Sequence, residues 1–444
     1  MVLSKKNAVA LPVVSDQPKK IKEKSQPSLP EDKQVVKNRV EMNRGEAKKE
    51  IRKPVAVQKK ANVVTKPAEE ASKTSVGSIV GYLDIMPDRQ GFVRPNFVPS
   101  GKDAYIPNSQ IRRLNLRYGD LIAGFARPPR RDEKNWGMVR IDKVNGGSLD
   151  KLKNRPEFKD LVPIYPEELV SLETDSEILS TRIVDLFSPV GFGQRGMVVS
   201  PPKAGKTVLL KEIAAGVAKN YPEVHLMAVL VGERPEEVTD MQRFIKGEVI
   251  ASSFDQKPED QTRAAEIAIE RAKRLVEMGR DVFIVFDSIT RLARAYNLAI
   301  PTSGRTLSGG FDPAALYPSK KFFGAARNIE HGGSLTIIGT ALVDTGSKMD
   351  DLIFEEFKGT GNMELWLNRD LADRRIFPAF DLNKSGTRKE ELLLDEARLK
   401  ASVQIRRMMD AVGNNTSDSS VAIIEQMRKT KGNSDFMAKL NKAK

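Results

Sequence analysis

The run Ser200-Pro201-Pro202-Lys203-Ala204-Gly205-Lys206-Thr207 places a glycine, an ammonium and a hydroxyl at the spacing of a phosphate-binding loop. It lies between the apolar run RGMVVS and the helical pattern KTVLLKEIAAGVAKN, the strand–loop–helix context that such a loop requires. Backbone N–H groups at the helix start would surround phosphates, Lys206 would reach the terminal ones, and the Thr207 hydroxyl would coordinate magnesium. Ser200 stands where the generic pattern has its first glycine, so context carries the reading more than pattern does. Asp287 closes the apolar strand VFIVFD and is the expected second magnesium anchor. Hydrolysis needs a further carboxylate to orient or deprotonate water, and Glu233, at the end of VHLMAVLVGE, is the candidate. In a parallel sheet it would emerge at the same carboxyl edge as the loop. The plainer alternative for Glu233 is that it begins the next helix. Arg234 follows it, available for phosphate or for an ion pair.

The rest of the composition leaves few competitors for this chemistry. The 444 residues contain no Cys, which excludes disulfides, thiolate metal sites and a cysteine nucleophile. His225 and His331 are the sole histidines, which leaves little material for imidazole metal clusters or Ser-His relays. There are 73 basic and 59 acidic residues, a formal net charge of +14, which suits a polyanionic partner. Residues 1–75 hold 18 Lys or Arg against 9 Asp or Glu and have no aromatic residue, so most of the excess charge lies in a segment that cannot bury a core. A disordered basic tail with weak, non-specific attraction to nucleic acid is expected there. No apolar run is long enough to span a bilayer and no leader pattern is visible, so a cytoplasmic protein is expected.

From Val76 the pattern changes. Residues 76–150 carry Tyr82, Phe92, Phe97, Tyr105, Tyr118, Phe125 and Trp136, in short β-rich runs separated by turn residues. That spacing predicts a small all-β barrel, and the interleaved arginines suit base stacking and phosphate tracking by an oligonucleotide-binding domain. The plainer reading makes most of these aromatics core and most of these arginines solvated. Residues 151–180 read as a charged, Pro-containing connector. From 181 to 444 apolar strands alternate with helices, which predicts an α/β domain with a mostly parallel sheet covered on both faces.

Several long segments resemble the Rho family of bacterial transcription termination factors, which are hexameric RNA-dependent ATPases and helicases of the RecA-like class. They are PPKAGKT, GERPEEVTDMQR (232–243), KGEVIASSFD (246–255), DSITRLARAYN (287–297), KKFFGAARN (320–328), DTGSKMDDLIFEEFKGTGNMEL (344–365) and KSGTRKEELL (384–393). The resemblance runs from about residue 76 to the end. It implies a RecA-like P-loop ATPase domain after an N-terminal OB/cold-shock-like RNA-binding barrel. It also implies ATP and Mg2+ as cofactors, a hexameric ring, and single-stranded RNA and RNA polymerase as partners. Gly191, Phe192, Gly193, Gln194, Arg195 and Gly196 would line the ATP pocket with Lys203, Ala204, Gly205, Lys206, Thr207, Val208 and Arg234. Glu233 would be the catalytic carboxylate, Asp287 a magnesium ligand, and Arg388 an arginine finger delivered by a neighbouring subunit; pairing with Glu390 or Glu391 is the plainer role for Arg388.

Two pore loops follow from the same resemblance. Thr306, Leu307, Ser308, Gly309 and Gly310 match the first, and Lys348 matches the second. The primary RNA strip would comprise Arg89, Gln90, Gly91, Phe92, Val93 and Arg94, then Asp103, Ala104 and Tyr105, then Glu133, Lys134 and Asn135. Gln90 and Asn135 stand where the family often has aromatics, which removes stacking platforms and bears on base preference. The resemblance would also place a small helical subdomain before the barrel, and the basic tail is expected in its stead. Two other classes compete with an RNA-translocating terminator. One is a RecA-like motor on another track, and the other is an RNA-binding ring with a nucleotide switch and little turnover.

Overall fold

The computed structural model describes residues 76–411 and 416–442; the expected disordered tail, 1–75, lies outside the described residues. The first folded element is a closed five-stranded barrel. Its strands are β1 (Gly77–Ile85), β2 (Gly91–Arg94), β3 (Ala104–Ile106), β4 (Leu121–Arg127) and β5 (Trp136–Val144), in the order β1-β2-β3-β5-β4. Helix α1 (Asn108–Arg113) joins β3 to β4. Alternation along the strands sends Leu83, Val93, Ala104, Ile122, Ala126 and Ile141 inward, where Ile111 of α1 completes the core.

Residues 151–180 are more than a connector. Strand β6 (Pro163–Ile164) pairs with β11 (Arg327–Ile329) of the following domain, and the buried Phe158 lies beneath the Arg327 guanidinium, 4.8 Å from the ring centre.

The expected α/β layers are present. In chain order they are α2 (Leu179–Phe187), β7 (Arg195–Ser200), α3 (Lys206–Asn220), β8 (His225–Glu233), α4 (Pro235–Phe244), β9 (Glu248–Ser253), α5 (Pro258–Val276), β10 (Val282–Asp287), α6 (Ile289–Ala299) and α7 (Pro313–Phe323). After β11 come β12 (Ser334–Leu342), α8 (Lys348–Lys358), β13 (Met363–Leu367), α9 (Arg369–Asp373) and β14 (Phe380–Thr387). Three helices close the chain, α10 (Glu396–Ala411), α11 (Thr416–Arg428) and α12 (Asn433–Lys442).

The sheet order is β14-β13-β7-β12-β10-β8-β9, parallel from β13 to β9, with β14 antiparallel at one edge. Strands β7, β8, β10 and β12 are buried nearly throughout because helices cover both faces. One core packs α2, α3 and the C-terminal helices on one face, with Ile183, Ile213, Phe283, Ile405, Ile424 and Phe436 in contact. The other packs α5 to α8, with Ala265, Ala268, Phe286, Phe322 and Phe357. Among the described residues no helix is long and apolar enough to cross a membrane.

Helix α5 also carries the barrel. Arg263 reaches Asp84 of β1, with Nε 3.0 Å and Nη2 2.7 Å from Oδ2, and Arg271 donates to the Asn145 side chain. At its far end Glu277 accepts from Arg117 of the barrel at 2.9 Å.

Candidate nucleotide site and RNA-facing surfaces

The parallel sheet delivers the chemistry to one edge. Ser200, Glu233 and Asp287 end three of its strands, and the phosphate loop leads from β7 into α3. Gly205 caps α3 at φ +97°, and no side chain satisfies the first amides of the helix. Those amides and the positive end of the helix dipole therefore face the cleft. Lys206 Nζ lies 2.6 Å from Asp287 Oδ2 and 3.3 Å from Glu233 Oε1. Asp287 Oδ1 accepts from Thr340 Oγ1 at 2.6 Å, which fixes the carboxylate in plane. Thr207 Oγ1 is 3.4 Å from Glu237 Oε2, and Arg234 is exposed with Nη1 3.9 Å from Glu237 Oε1.

Glu233 owes its aim to a break in the strand register between Val231 and Glu233, where Gly232 adopts φ +66°. Such a bulge re-aims the next side chain, and only glycine takes that backbone angle without strain. Arg291, one turn into α6, places Nε 3.0 Å from Glu233 Oε1 and donates Nη1 to the Gly232 carbonyl. Burial, followed by the neighbouring Asp287 charge, raises the Glu233 carboxyl to about 7, against the lowering pull of Lys206 and Arg291. Burial by itself would lower Lys206, but the Asp287 and Glu233 carboxylates outweigh it and hold the ammonium above its ordinary value.

A cleft of about 600 Å³ opens beside the loop, lined by Lys203, Ala204, Gly205 and Val208 and walled by Phe377 to Phe380. Phe377 is 43% exposed and lies 3.8 Å from where a Cβ on Gly205 would stand, so the cleft offers an aromatic face next to the phosphate loop. Neither Phe377 nor Arg291 was picked out from sequence. Arg291 carries a signal, lying four residues after Asp287 at the start of a helix, whereas Phe377 comes from a remote loop with no local pattern.

The groups suit a nucleotide: uncapped amides, an ammonium, a hydroxyl and two buried carboxylates gather at the start of α3, beside a cleft that Lys203, Ala204, Gly205 and Val208 line. Among the described residues no three His, Cys, Asp or Glu form a metal-holding group, so a magnesium ion here would have to share its ligands with phosphate.

The segment Gly191–Gly196 lies elsewhere. Arg195 opens β7 at the opposite edge of the sheet, roughly 17 Å of strand from Ser200. Gly191, Phe192, Gly193, Gln194 and Gly196 are buried there, with Gln194 Nε2 donating to Asn362 Oδ1 at 2.8 Å. Arg388 shares that edge, its backbone N–H donating to Asn362 O at 2.9 Å, and lines a cavity of about 540 Å³ with Gly193, Gln194 and Arg195. It is exposed and pairs with neither Glu390 nor Glu391. Within one chain, therefore, Arg388 and Gly191–Gly196 do not meet the phosphate loop.

The two expected pore loops are brought together. Thr306, Leu307, Ser308, Gly309 and Gly310 are exposed, and Gly309, at φ +72°, passes so close to the start of α8 that a Cβ would lie 2.6 Å from Met349 N. Lys348, the first residue of α8, is exposed, and Arg294 anchors the preceding turn through Asp350 (2.7 Å) and Ser347 (3.1 Å).

In the barrel the expected RNA strip separates into surface and support. Val93 and Ala104 are 0% exposed and point into the core, and Gly91 is buried against Leu83 and Ile111. Arg94 and Asp103 are buried as well, because Arg94 is enclosed by ion pairs with Asp103 and with Asp84 (2.6 Å). These five residues therefore support the strip and offer it no free side chain. Phe92 and Tyr105 are paired across β2 and β3 and half-exposed, rings edge to face at 5.9 Å, with the Arg94 guanidinium 5.5 Å from the Phe92 centre. Arg89, Gln90 and Lys134 are exposed, Asn135 is half-buried, and Glu133 is clamped by Arg127 at 2.6 Å through both oxygens.

The architecture defines a P-loop ATPase domain preceded by a small RNA-binding barrel, and comparison with known proteins agrees. Residues 180–387 match the nucleotide-binding domain of the ATP synthase alpha/beta family, and residues 79–150 match the RNA-binding domain of Rho termination factor. A prototypical ATPase from the type III secretion system of pathogenic bacteria shares the fold, with a TM-score of 0.52 at 22% identity over 64% of this chain and 86% of that one. Transcription termination factor Rho of Bacillus subtilis is 55% identical over 81% of this chain and 84% of its own length. The Thermotoga maritima factor is 52% identical over 82% and 86%, and that of Streptomyces lividans 54% identical over 82% of this chain but 52% of its own length. The chain belongs to the transcription termination factor Rho family.

Proposed function

We propose that this chain is one subunit of a ring-forming, RNA-dependent ATPase that loads on nascent transcripts, translocates 5′ to 3′ and terminates transcription. The observation that carries the enzymatic part is the convergence of Lys206, Glu233 and Asp287 at one sheet edge beside uncapped helix amides. The name shared by its relatives supports the transcriptional role.

In this reading the α3 amides and Lys206 hold the phosphates of ATP, and Phe377 stacks on the base. Thr207 and Asp287 hold the magnesium ion, which would neutralise charge developing on the phosphates. Lys206 exchanges its carboxylate partners for phosphate, which leaves Glu233 to orient or deprotonate water. Arg388 cannot reach this site in its own chain, so its place is the site of the next copy, where a guanidinium from outside stabilises the transition state. That arrangement supports a closed ring of heterologous contacts, six-membered by family resemblance. The Phe92–Tyr105 face binds RNA first, and the Gly309 and Lys348 loops grip it in the pore.

The test is steady-state ATP hydrolysis by the full chain with no nucleic acid, cytosine-rich RNA, or DNA of the same sequence, with Lys206→Ala as blank. Stimulation by RNA alone is expected. Equal stimulation by DNA would move the track, and no turnover would leave an RNA-binding ring.

A further inference from the structure

The turn that carries Arg388 is fixed on one side by the end of β14. Thr387 donates its hydroxyl to Pro189 O at 2.7 Å, and the Arg388 N–H donates to Asn362 O at 2.9 Å. Lys389 follows in a left-handed backbone, φ +57° and ψ +40°, before the single helical turn Glu390–Leu392. A lysine keeps that conformation only where its surroundings impose it, and any swing of Lys389 moves the Arg388 backbone with it.

The Lys389 side chain rests on an aromatic ring. Its Nζ lies 3.7 Å from the centre of Tyr165, which belongs to the segment between the barrel and α2. Neither Arg388 nor Lys389 has an ion pair among the described residues. Tyr165 is 58% exposed, so its ring serves no core, yet the segment behind it is braced. Pro163 and Ile164 pair with β11, and Asn328 Nδ2 donates to Tyr165 O at 3.4 Å. Pro166 and Leu393 close on Gly191 from two sides, 2.7 Å and 2.6 Å from where a Cβ would stand. Tyr165, Arg388 and Lys389 thus line one cavity, with the ring on its firm wall and the two cations on the turn.

We propose that Tyr165 is a positioning residue for ATP hydrolysis, which holds Lys389 and thereby aims Arg388 at the phosphate loop of the neighbouring copy. The proposal rests on the reading that Arg388 serves the site of the next copy. A guanidinium on a long, exposed side chain accelerates the reaction only as far as its orientation is settled beforehand, and a misplacement of about 1 Å can cost on the order of 10²-fold. An exposed cation–ring contact adds little to folding, but it suffices to select one orientation of a short turn. Tyr165 touches no part of the nucleotide, so its removal slows turnover and leaves ATP affinity alone.

The experiment uses the full-length protein and steady-state ATP hydrolysis. Tyr165→Ala is expected to lower kcat about tenfold with KM within about twofold of wild type. Tyr165→Phe keeps the ring face and stays within about twofold in both. Lys389→Gln falls as Tyr165→Ala does, and the double variant falls no further than the slower single one, because both remove one contact. Mixed subunits then show whose site is affected. Tyr165→Ala reassembled with Lys206→Ala is expected to exceed both parents in basal turnover, since some interfaces join an intact phosphate loop to an undisturbed arginine. Reassembled with Arg388→Ala it gains nothing, because neither subunit supplies a well-aimed guanidinium. Unchanged kcat in Tyr165→Ala, a Tyr165→Phe protein as slow as Tyr165→Ala, or rescue by Arg388→Ala in place of Lys206→Ala overturns the proposal. Failure of the underlying reading looks different, with Arg388→Ala itself turning over ATP at the wild-type rate.

Discussion

Lys206 Nζ bridges Asp287 Oδ2, at 2.6 Å, and Glu233 Oε1, at 3.3 Å, so the phosphate-loop cation neutralises two carboxylates that are otherwise shut away from water. Asp287 and Glu233 are 1% and 2% exposed. Both would face a large desolvation cost without the ammonium.

Lys206→Ala therefore has two effects. Hydrolysis falls to background because the terminal phosphates lose their cation. The nucleotide-free protein also loses stability, by about 3 kcal/mol, because the buried Asp287 loses its cation while Glu233 keeps only Arg291. Thermal unfolding checks this. A variant as stable as wild type at neutral pH would show that the bridge holds nothing.

Glu233 sets a pH dependence whose sign follows from its raised carboxyl. Burial and the Asp287 charge favour the protonated form up to about pH 7, and a protonated carboxyl cannot accept a proton from water. kcat/KM should fall about tenfold per unit below that pH, and Glu233→Gln should be slow and flat. The folded protein holds this proton more tightly than the unfolded chain, so stability should decline as pH rises from the ordinary carboxylate range to about 7. A pH–rate profile and a pH series of unfolding midpoints measure the two limbs separately.

The RNA strip separates contact from support. Phe92→Ala and Tyr105→Ala should each weaken RNA binding by ~1–3 kcal/mol and leave the barrel folded, since both rings are half-exposed. Arg94→Ala should cost ~3–5 kcal/mol of barrel stability, because Asp84 and Asp103 are left buried without their shared guanidinium. Fluorescence anisotropy with labelled RNA, set beside thermal unfolding, distinguishes the two. An Arg94→Ala protein that folds normally and loses only RNA affinity would place Arg94 in direct contact.

Much of this was legible in the sequence because it is local. The phosphate loop declares itself by spacing, the parallel sheet by its uninterrupted apolar strands, and the barrel by aromatics between turn residues. The resemblance counts Val93 and Ala104 as contacts, yet the alternation of β2 and β3 turns both inward beside outward rings. What stayed hidden needs tertiary placement. Arg94 reads as a surface cation until Asp84, ten residues upstream, and Asp103, nine residues downstream, close around it. The resemblance puts Gly191–Gly196 in the pocket, yet within one chain β7 carries that segment to the opposite edge of the sheet.

The two loops expected to line a pore are held by a contact that only glycine permits. A Cβ on Gly309 would stand 2.6 Å from Met349 N, so Gly309→Val should part the loop from α8. RNA-stimulated hydrolysis should drop at least severalfold with ATP affinity unchanged. Loss of both together would instead mean that the substitution disturbs the core.

Arg388 and the phosphate loop occupy opposite edges of one sheet, so a site using both must draw them from two copies. Lys206→Ala and Arg388→Ala should each be inactive alone, the second by ~10³-fold or more if its guanidinium acts on the transition state. When the two variants are mixed and allowed to reassemble, some interfaces join an intact phosphate loop from the Arg388→Ala subunit to an intact arginine from the Lys206→Ala subunit. Those interfaces should hydrolyse ATP, and the mixture should exceed either parent in basal turnover, which does not require the whole ring to advance along RNA. A double variant mixed with either parent supplies the control, since it can form no such interface. Mixtures that stay as inactive as their parents would place Arg388 outside the neighbour's site.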